Sequence, residues 1–202
     1  MTIKNRIAGI AFVLLCALTA TSVGAAPAPA KKQKTIRPSV TKKLLVTKKR
    51  MAFSISSPAF KHQGFLPSRY TCDGDGISPP LRFQGVPEKA QSLVLIMEDP
   101  DVPKVIRLDG MWDHWVVWNI PPATQSIAEN RIPPGVIGKN TDGGSAYYPA
   151  CPPDREHRYF FKAYSLDVLL ELPTDSDKKR VIKAMKGHIL ARAELVGCYK
   201  RK

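Results

Sequence analysis

The chain has 202 residues, which is enough for one domain with extensions. Its formal net charge is +14, but residues 1–51 contain 11 of the 31 Lys and Arg and none of the 17 Asp and Glu. The rest of the chain therefore carries 20 basic residues against 17 acidic ones, too even a balance for the basic surface of a nucleic-acid-binding domain. No nucleic-acid partner is expected.

The amino terminus has the pattern of a secretory signal. Lys4 and Arg6 precede an uncharged apolar run over 7–20, and small residues follow at 23–26. We predict a signal peptide over 1–25, with cleavage after Ala30 as an alternative to cleavage after Ala25. The competing interpretation is an uncleaved membrane anchor, because the uncharged stretch is long enough to span a bilayer. The protein is expected to be exported to the periplasm or the extracellular space.

Residues 26–51 are rich in Ala, Pro and Lys and contain no acid, a composition typical of a disordered basic linker. Its basic residues, at 31–50, could be attracted to an anionic surface. The alternative is a linker whose charge only keeps it soluble. The folded domain is predicted over 52–202.

Three segments predict the central strands of this domain. Residues 92–98 form a continuous apolar run that is too short for a helix, and residues 114–120 and 158–166 are rich in β-branched and aromatic side chains. Proline pairs, which cannot continue a central strand, mark the loops between them. These pairs lie at 79–80, 121–122, 133–134 and 152–153.

One helix is predicted near the carboxyl terminus. Capping residues at 174–177 are followed by apolar residues at helical spacing. These are Val181, Ile182, Met185, Ile189 and Leu190. Residues 193–199 then alternate as a final strand does. The predicted fold class is mainly β: an antiparallel β-sandwich with a peripheral helix near the carboxyl terminus.

Three cysteines remain once the signal is removed, in a compartment that permits disulfides. Cys72 and Cys151 both lie in loop-like segments flanked by proline, and we expect them to face each other or to bond. Cys198 lies in the alternating terminal segment and is interpreted as a buried thiol.

Polar side chains cluster at the ends of the predicted central strands. Asp99 and Asp101 follow the first strand, His114 opens the second, and His157 and Tyr159 lie at the start of the third. Each motif taken alone is also typical of a solvated turn or of a histidine satisfied at a sheet edge. If the three strands are neighbours, however, these side chains surround one cavity.

The chemistry of such a cavity depends on protonation. A carboxylate near a histidine favours the protonated ring, and two such rings would hold a phosphate or carboxylate. The same residue types could bind zinc or act as acid and base. None of the motifs diagnostic of those activities is present: no His-Glu-x-x-His, no Cys-x-x-Cys and no Gly-x-Ser-x-Gly. No metal, cofactor or catalytic residue is therefore predicted.

Taken together, the motifs resemble the phosphatidylethanolamine-binding protein family, in its bacterial Raf kinase inhibitor-like branch. In chain order they are Ser78-Pro79-Pro80-Leu81, Asp99-Pro100-Asp101-Val102-Pro103, the run over 114–121 that begins His-Trp, Cys151-Pro152-Pro153 and His157-Arg158-Tyr159. The resemblance extends from about residue 53 to 199. It implies a β-sandwich with a pocket for a small anion or a phospholipid head group, and no enzymatic activity.

Carried over by position, the resemblance implies seven ligand-binding residues and a supporting role for Arg158. The seven are Asp99, Asp101, His114, Cys151, Pro153, His157 and Tyr159. Two segments depart from the family pattern, since Tyr148-Pro149-Ala150 and Arg155-Glu156 stand where glycine is usual. These side chains could narrow the entrance.

The expected function is an exported protein that binds a small anion or a phospholipid head group and that could also modulate or inhibit a protein partner. One alternative is an envelope hydrolase that uses the Asp and His side chains. Another is an inhibitor or interaction module whose pocket is vestigial.

Overall fold

A computed structural model describes residues 51–202 together with Gly24. The predicted signal peptide over 1–25 and basic linker over 26–51 lie outside the described residues, apart from Gly24 and Met51. Within the described part of the chain, no helix has the length and apolar character needed to cross a membrane.

The folded part is mainly β, with one short α-helix among residues 51–202, as predicted. The strands are β1 (Ser54–Ser56), β2 (Gly64–Phe65), β3 (Leu81–Gln84), β4 (Ser92–Asp99), β5 (Trp112–Ile120), β6 (Ser126–Ile127), β7 (Val136–Ile137), β8 (His157–Leu166) and β9 (Ile189–Tyr199). The helix α1 spans Lys178–Met185, and a 3-10 turn spans Ser68–Tyr70. The three predicted central strands correspond to β4, β5 and β8.

The strands form two sheets. The smaller sheet has the order β1-β3-β6, and the larger has the order β2-β9-β8-β4-β5-β7. The pairings are antiparallel except that of β2 with β9, where Gly64 lies opposite Gly197 in a parallel register. The expectation of a wholly antiparallel arrangement is wrong at this edge, because β2 is far from β9 in sequence and no hairpin sets its direction.

Strand β4 is buried along its whole length, which explains its continuous apolar run. One face of β4 packs in a cluster to which both sheets contribute, including Ile55 of β1 and Leu95 of β4. The other face packs with the helix, through Ile96 and Val181. The ends of β4, β5 and β8 are thereby held in fixed positions relative to one another.

Helix α1 begins at a side-chain cap, since the carboxylate of Asp177 accepts a hydrogen bond of 2.9 Å from the Arg180 N–H. It ends at Met185, and Gly187 then adopts a φ of +89°, in the left-handed region that favours glycine. The prediction that Ile189 and Leu190 belong to the helix is wrong. Both residues lie in β9, where Ile189 pairs with Leu166 of β8.

Candidate functional site

A cavity of about 180 Å³ opens where β4 ends and β5 begins. Its walls come from these strand ends, from the loop between them and from the loop before β8. The lining residues are Asp99, Val102, Ile106, Trp112, His114, Tyr148, Cys151 and Pro153. Four of the seven predicted ligand-binding residues therefore line the cavity: Asp99, His114, Cys151 and Pro153.

A β-bulge aims His114 at this cavity. Met97 of β4 pairs with Trp115 of β5, but the next β4 residue, Glu98, pairs with Asp113. His114 is thus the extra residue of β5. Bulges beside functional sites re-aim a side chain that regular alternation would point elsewhere.

Backbone hydrogen bonds fix the orientation of the His114 ring. Its Nδ1–H donates to the Tyr148 carbonyl at 2.8 Å, and the Tyr148 N–H donates to the His114 carbonyl at 2.9 Å. In this tautomer Nε2 is an acceptor, and it is buried without a hydrogen-bond partner among the described residues.

Burial lowers the pKa of His114 to about 4, so the ring is neutral near pH 7. The expectation that a nearby carboxylate keeps the ring protonated is wrong for this residue, because the loss of hydration outweighs the hydrogen bond to the Tyr148 carbonyl.

His157 is fully buried between two carboxylates and does not reach the cavity. Its Nδ1 lies 2.7 Å from Oδ2 of Asp99, and its Nε2 lies 2.8 Å from Oδ1 of Asp154. The other oxygen of Asp99 accepts the Asp101 N–H at 2.8 Å. Burial raises the pKa of Asp99, and the hydrogen bond from His157 only partly opposes this rise. His157 therefore positions Asp99 instead of lining the cavity.

Asp101 likewise lies outside the cavity lining, because its carboxylate is hydrogen-bonded to Arg158. The Arg158 Nη2, Nε and backbone N–H donate to the Asp101 carboxylate at 2.7, 2.8 and 3.0 Å. The side-chain hydrogen bond from Arg158 lowers the pKa of Asp101. This bidentate pair ties the loop after β4 to β8 and agrees with the supporting role expected of Arg158.

Tyr159 lies behind His114, and the two rings meet edge to face with centroids 5.3 Å apart. The Tyr159 hydroxyl is buried and forms no hydrogen bond of good geometry with the described residues. Burial, followed by the charge of Asp99, raises the pKa of this phenol. The hydroxyl is thus a neutral donor near pH 7.

The predicted proximity of Cys72 and Cys151 is confirmed, since they form a disulfide between residues 79 apart in sequence. The bond holds the cavity-lining segment that contains Cys151 and Pro153. Cys198 is half-buried, and its interpretation as a buried thiol is wrong. It pairs across the sheet with exposed Arg158, so its side chain lies on the outer face of β9.

Four lining residues are not among the seven predicted ligand-binding residues: Val102, Ile106, Trp112 and Tyr148. Trp112 precedes the histidine by two positions in the same strand, a spacing that could have suggested it. Its indole Nε1 is buried and has no hydrogen-bond partner among the described residues. Tyr148, in the segment expected to narrow the entrance, packs against Trp112 with ring centroids 5.6 Å apart.

The neighbouring acids Glu98 and Asp113 belong to a charge cluster at helix α1, separate from the cavity lining. The Glu98 carboxylate accepts from Lys162 Nζ at 2.5 Å and from Lys178 Nζ at 2.9 Å. Lys178 also contacts Asp113. Burial alone would raise the pKa of Glu98, but the two lysines more than offset this effect and lower it.

The cavity offers hydrogen-bonding groups without an evident nucleophile. None of its described lining residues is Ser, Thr or Lys, and its cysteine is in the disulfide. The described residues contain no group of three or more His, Cys, Asp and Glu that could hold a metal ion. What remains is an acceptor at His114, a donor at Trp112, the carboxyl group of Asp99 and the phenol of Tyr148.

Residues 56–200 match the family model of phosphatidylethanolamine-binding proteins. A UPF0098 protein of Chlamydia trachomatis is 49% identical over 147 residues, which cover 73% of this chain and 98% of that protein. A UPF0098 protein of Methanothermobacter thermautotrophicus is 46% identical over 154 residues, covering 73% of this chain and 99% of that protein.

Solved structures agree with the family match. The crystal structure of a phosphatidylethanolamine-binding protein homologue from Chlamydia trachomatis has a TM-score of 0.73 and 48% identity, covering 75% of this chain and 99% of that chain. E. coli YbcL, described as a member of the mammalian family, has a TM-score of 0.68 and 28% identity, with 75% of this chain and 100% of that chain covered. The protein described here therefore belongs to the phosphatidylethanolamine-binding protein family.

Proposed function

We propose that this protein is an exported, non-enzymatic binding protein that takes a small phosphate-bearing head group into the cavity between Asp99 and His114. One observation carries the proposal: two rings that line the same cavity, His114 and Trp112, each have a buried nitrogen without a partner among the described residues. Buried polar atoms are normally satisfied, and an unsatisfied one costs about 1–3 kcal/mol. A bound ligand would supply the missing hydrogen bonds.

The size of the cavity supports a head group in preference to a whole lipid. Its volume of about 180 Å³ lies below the roughly 300–1,000 Å³ of pockets that enclose drug-sized ligands. A phosphate with a short organic substituent fits this space, and long acyl chains would remain outside.

The charges of the lining residues further restrict the chemical identity of the ligand. His114 is neutral near pH 7, so its Nε2 accepts a hydrogen bond, and Asp99 contributes a carboxyl group. A ligand that carries its own donor, such as an ammonium group, suits these two acceptors better than a free anion does. Its phosphate oxygens would accept from the Trp112 indole. Phosphorylethanolamine combines both features.

Family membership supports binding in preference to catalysis, and the Cys72–Cys151 disulfide supports export to an oxidising compartment. Modulation of a protein partner stays a prediction. The basic segment at 31–50 remains a proposed contact with anionic surfaces.

The test is the shift in melting temperature that each of three compounds produces: phosphorylethanolamine, inorganic phosphate and ethanolamine. We expect phosphorylethanolamine to raise the melting temperature more than either fragment, since a ligand that binds only the folded state stabilises it. The His114→Asn variant should lose this shift, because Asn can still donate to the Tyr148 carbonyl but has no atom at the Nε2 position.

Trp112→Phe provides a second variant. It removes the buried indole N–H that would donate to the ligand phosphate, so it should reduce the ligand-induced shift. Tyr159→Phe is the control, because Tyr159 lies behind His114 and is not among the residues that line the cavity. It should keep the shift. No shift in the folded wild-type protein at millimolar ligand would refute the proposal.

A further inference from the structure

The loop between β4 and β5 exposes a cluster of large aliphatic side chains beside the cavity. Val105 is 95% exposed, Leu108 is 92% exposed and Ile106 is 53% exposed. Other large exposed apolar side chains in the described part of the chain, such as Ile132 and Leu169, do not form a comparable run. Isolated exposed aliphatics are normal on a protein surface, whereas a contiguous cluster marks an interaction site. We call residues 104–108 the apolar loop.

Hydrogen bonds hold the apolar loop in shape. The Ile106 N–H donates to the Pro103 carbonyl at 2.9 Å, and the Gly110 N–H donates to the Arg107 carbonyl at 2.9 Å. The Arg107 guanidinium forms two hydrogen bonds to Asp109, at 3.0 and 3.2 Å. Val102 is buried at the base of the loop. An organised loop that still leaves Val105 and Leu108 in water is arranged to present them to a partner.

The apolar loop is also a wall of the cavity. Ile106 lines the cavity, and so does Trp112, whose ring lies 5.9 Å from the Arg107 guanidinium carbon. A partner that covers the loop must therefore lie next to the cavity entrance.

We propose that the apolar loop docks this protein on a lipid bilayer, with Val105 and Leu108 inserted among the head groups and upper acyl chains. The proposal rests on the proposed function, because a bilayer is where the head groups of phospholipids are found. Insertion of the loop would bring the cavity entrance to the depth of those head groups.

The composition of the loop favours a bilayer over a protein partner. Lys104 stands beside the aliphatic residues, and its long side chain can reach lipid phosphates while the aliphatic groups are buried. The three aliphatic side chains are a small surface compared with the roughly 800 Å² that each partner buries in a stable protein interface, and the loop exposes no aromatic anchor. Shallow insertion into a bilayer needs no such area.

The experiment is co-sedimentation of the exported protein with vesicles of phosphatidylethanolamine and phosphatidylglycerol. The loop variant is Val105→Ser with Leu108→Ser, and the matched control is Ile132→Ser with Leu169→Ser, which removes two exposed aliphatic side chains elsewhere. We expect the loop variant to bind about tenfold more weakly, because it loses two apolar side chains that would leave water. The control should bind like the wild type.

High salt distinguishes the contribution of the apolar loop to vesicle binding from that of the basic segment at 31–50. Salt screens the attraction between basic residues and anionic lipids but leaves apolar insertion in place. The difference between the wild type and the loop variant should therefore persist at high salt. Wild-type protein that does not sediment with vesicles, or a loop variant that binds as tightly as the control, would overturn the proposal. The second result would point to a protein partner for the loop.

Soluble phosphorylethanolamine distinguishes failure of this proposal from failure of the proposed function. The loop variant should keep the melting-temperature shift that this compound produces, since neither substituted residue lines the cavity. Loss of vesicle binding with the shift intact supports both proposals. If the loop variant loses vesicle binding while the wild type shows no melting-temperature shift, the result supports docking and refutes the proposed cavity ligand.

Discussion

The side chains of His157 and Asp99 form a buried pair, with Nδ1 of His157 2.7 Å from Oδ2 of Asp99. They are 58 residues apart in sequence and lie on neighbouring strands, β8 and β4. Because the second nitrogen of His157 is held by Asp154, the ring cannot turn without losing a hydrogen bond. The pair therefore sets the position of the Asp99 carboxyl group in the wall of the cavity.

Asp99→Asn should lower the free energy of unfolding by about 1–3 kcal/mol, because it disrupts the hydrogen bond from Asp99 to the buried His157 ring and leaves a buried polar group poorly satisfied. Urea denaturation measures this loss. The matched control is Asp167→Asn, which affects the His188–Asp167 pair, where both side chains are about half exposed. Exposed ion pairs contribute about 0–1 kcal/mol, so the control should change little. Equal losses in both variants would contradict the structural role assigned to Asp99.

His114 should make the folded protein sensitive to mild acid. Its pKa is about 4 in the folded protein and about 6.5 in an unfolded chain, so the unfolded state binds more protons between these values. The stability that the neutral His114 ring contributes is fully present above about pH 6.5 and is lost as the pH falls towards 4. The loss amounts to about 2 kcal/mol at pH 5. Urea denaturation at pH 7.5 and pH 5 should show a smaller loss for His114→Asn than for the wild type. Parallel losses would refute the buried neutral ring.

The disulfide should contribute substantially to stability. In the chain-entropy model, a bond between residues 79 apart stabilises the folded state by about 4.5 kcal/mol. We expect Cys72→Ser with Cys151→Ser to lose about this amount in urea denaturation, and reduction of the wild type to have the same effect. Cys198→Ser is the control and should respond to reductant as the wild type does. Insensitivity of the wild type to reduction would contradict the prediction.

Lys178 should anchor helix α1 to the sheet through its contacts with Glu98 and Asp113. Lys178→Met leaves the half-buried Asp113 without its lysine partner, and we expect a loss of about 2 kcal/mol together with faster amide hydrogen exchange in α1. Lys179→Met, at the exposed next position, is the control and should leave both quantities unchanged. Similar exchange in the two variants would show that apolar packing alone holds the helix.

Local pattern was sufficient to predict the central strands and the order of the motifs. The continuous apolar run at 92–98 became β4 because a strand buried on both faces must be apolar throughout. The similar loop context of Cys72 and Cys151 predicts correctly that the two cysteines are close. The same kind of pattern does not predict where helix α1 ends, because Ile189 and Leu190 keep helical spacing although the chain turns at Gly187.

The sequence by itself determined a mainly β fold, its family and the set of residues gathered near Asp99. Only the tertiary structure decided which of them face the cavity. Side chains alternate along a strand, and a bulge of one residue reverses that alternation, so the placement of His114 depends on how β5 pairs with β4. The protonation state of His114 depends on burial, which distant residues create. Asp101 and His157 are of the same residue types as the lining residues Asp99 and His114. The tertiary structure instead hydrogen-bonds them to Arg158 and Asp154, outside the cavity lining.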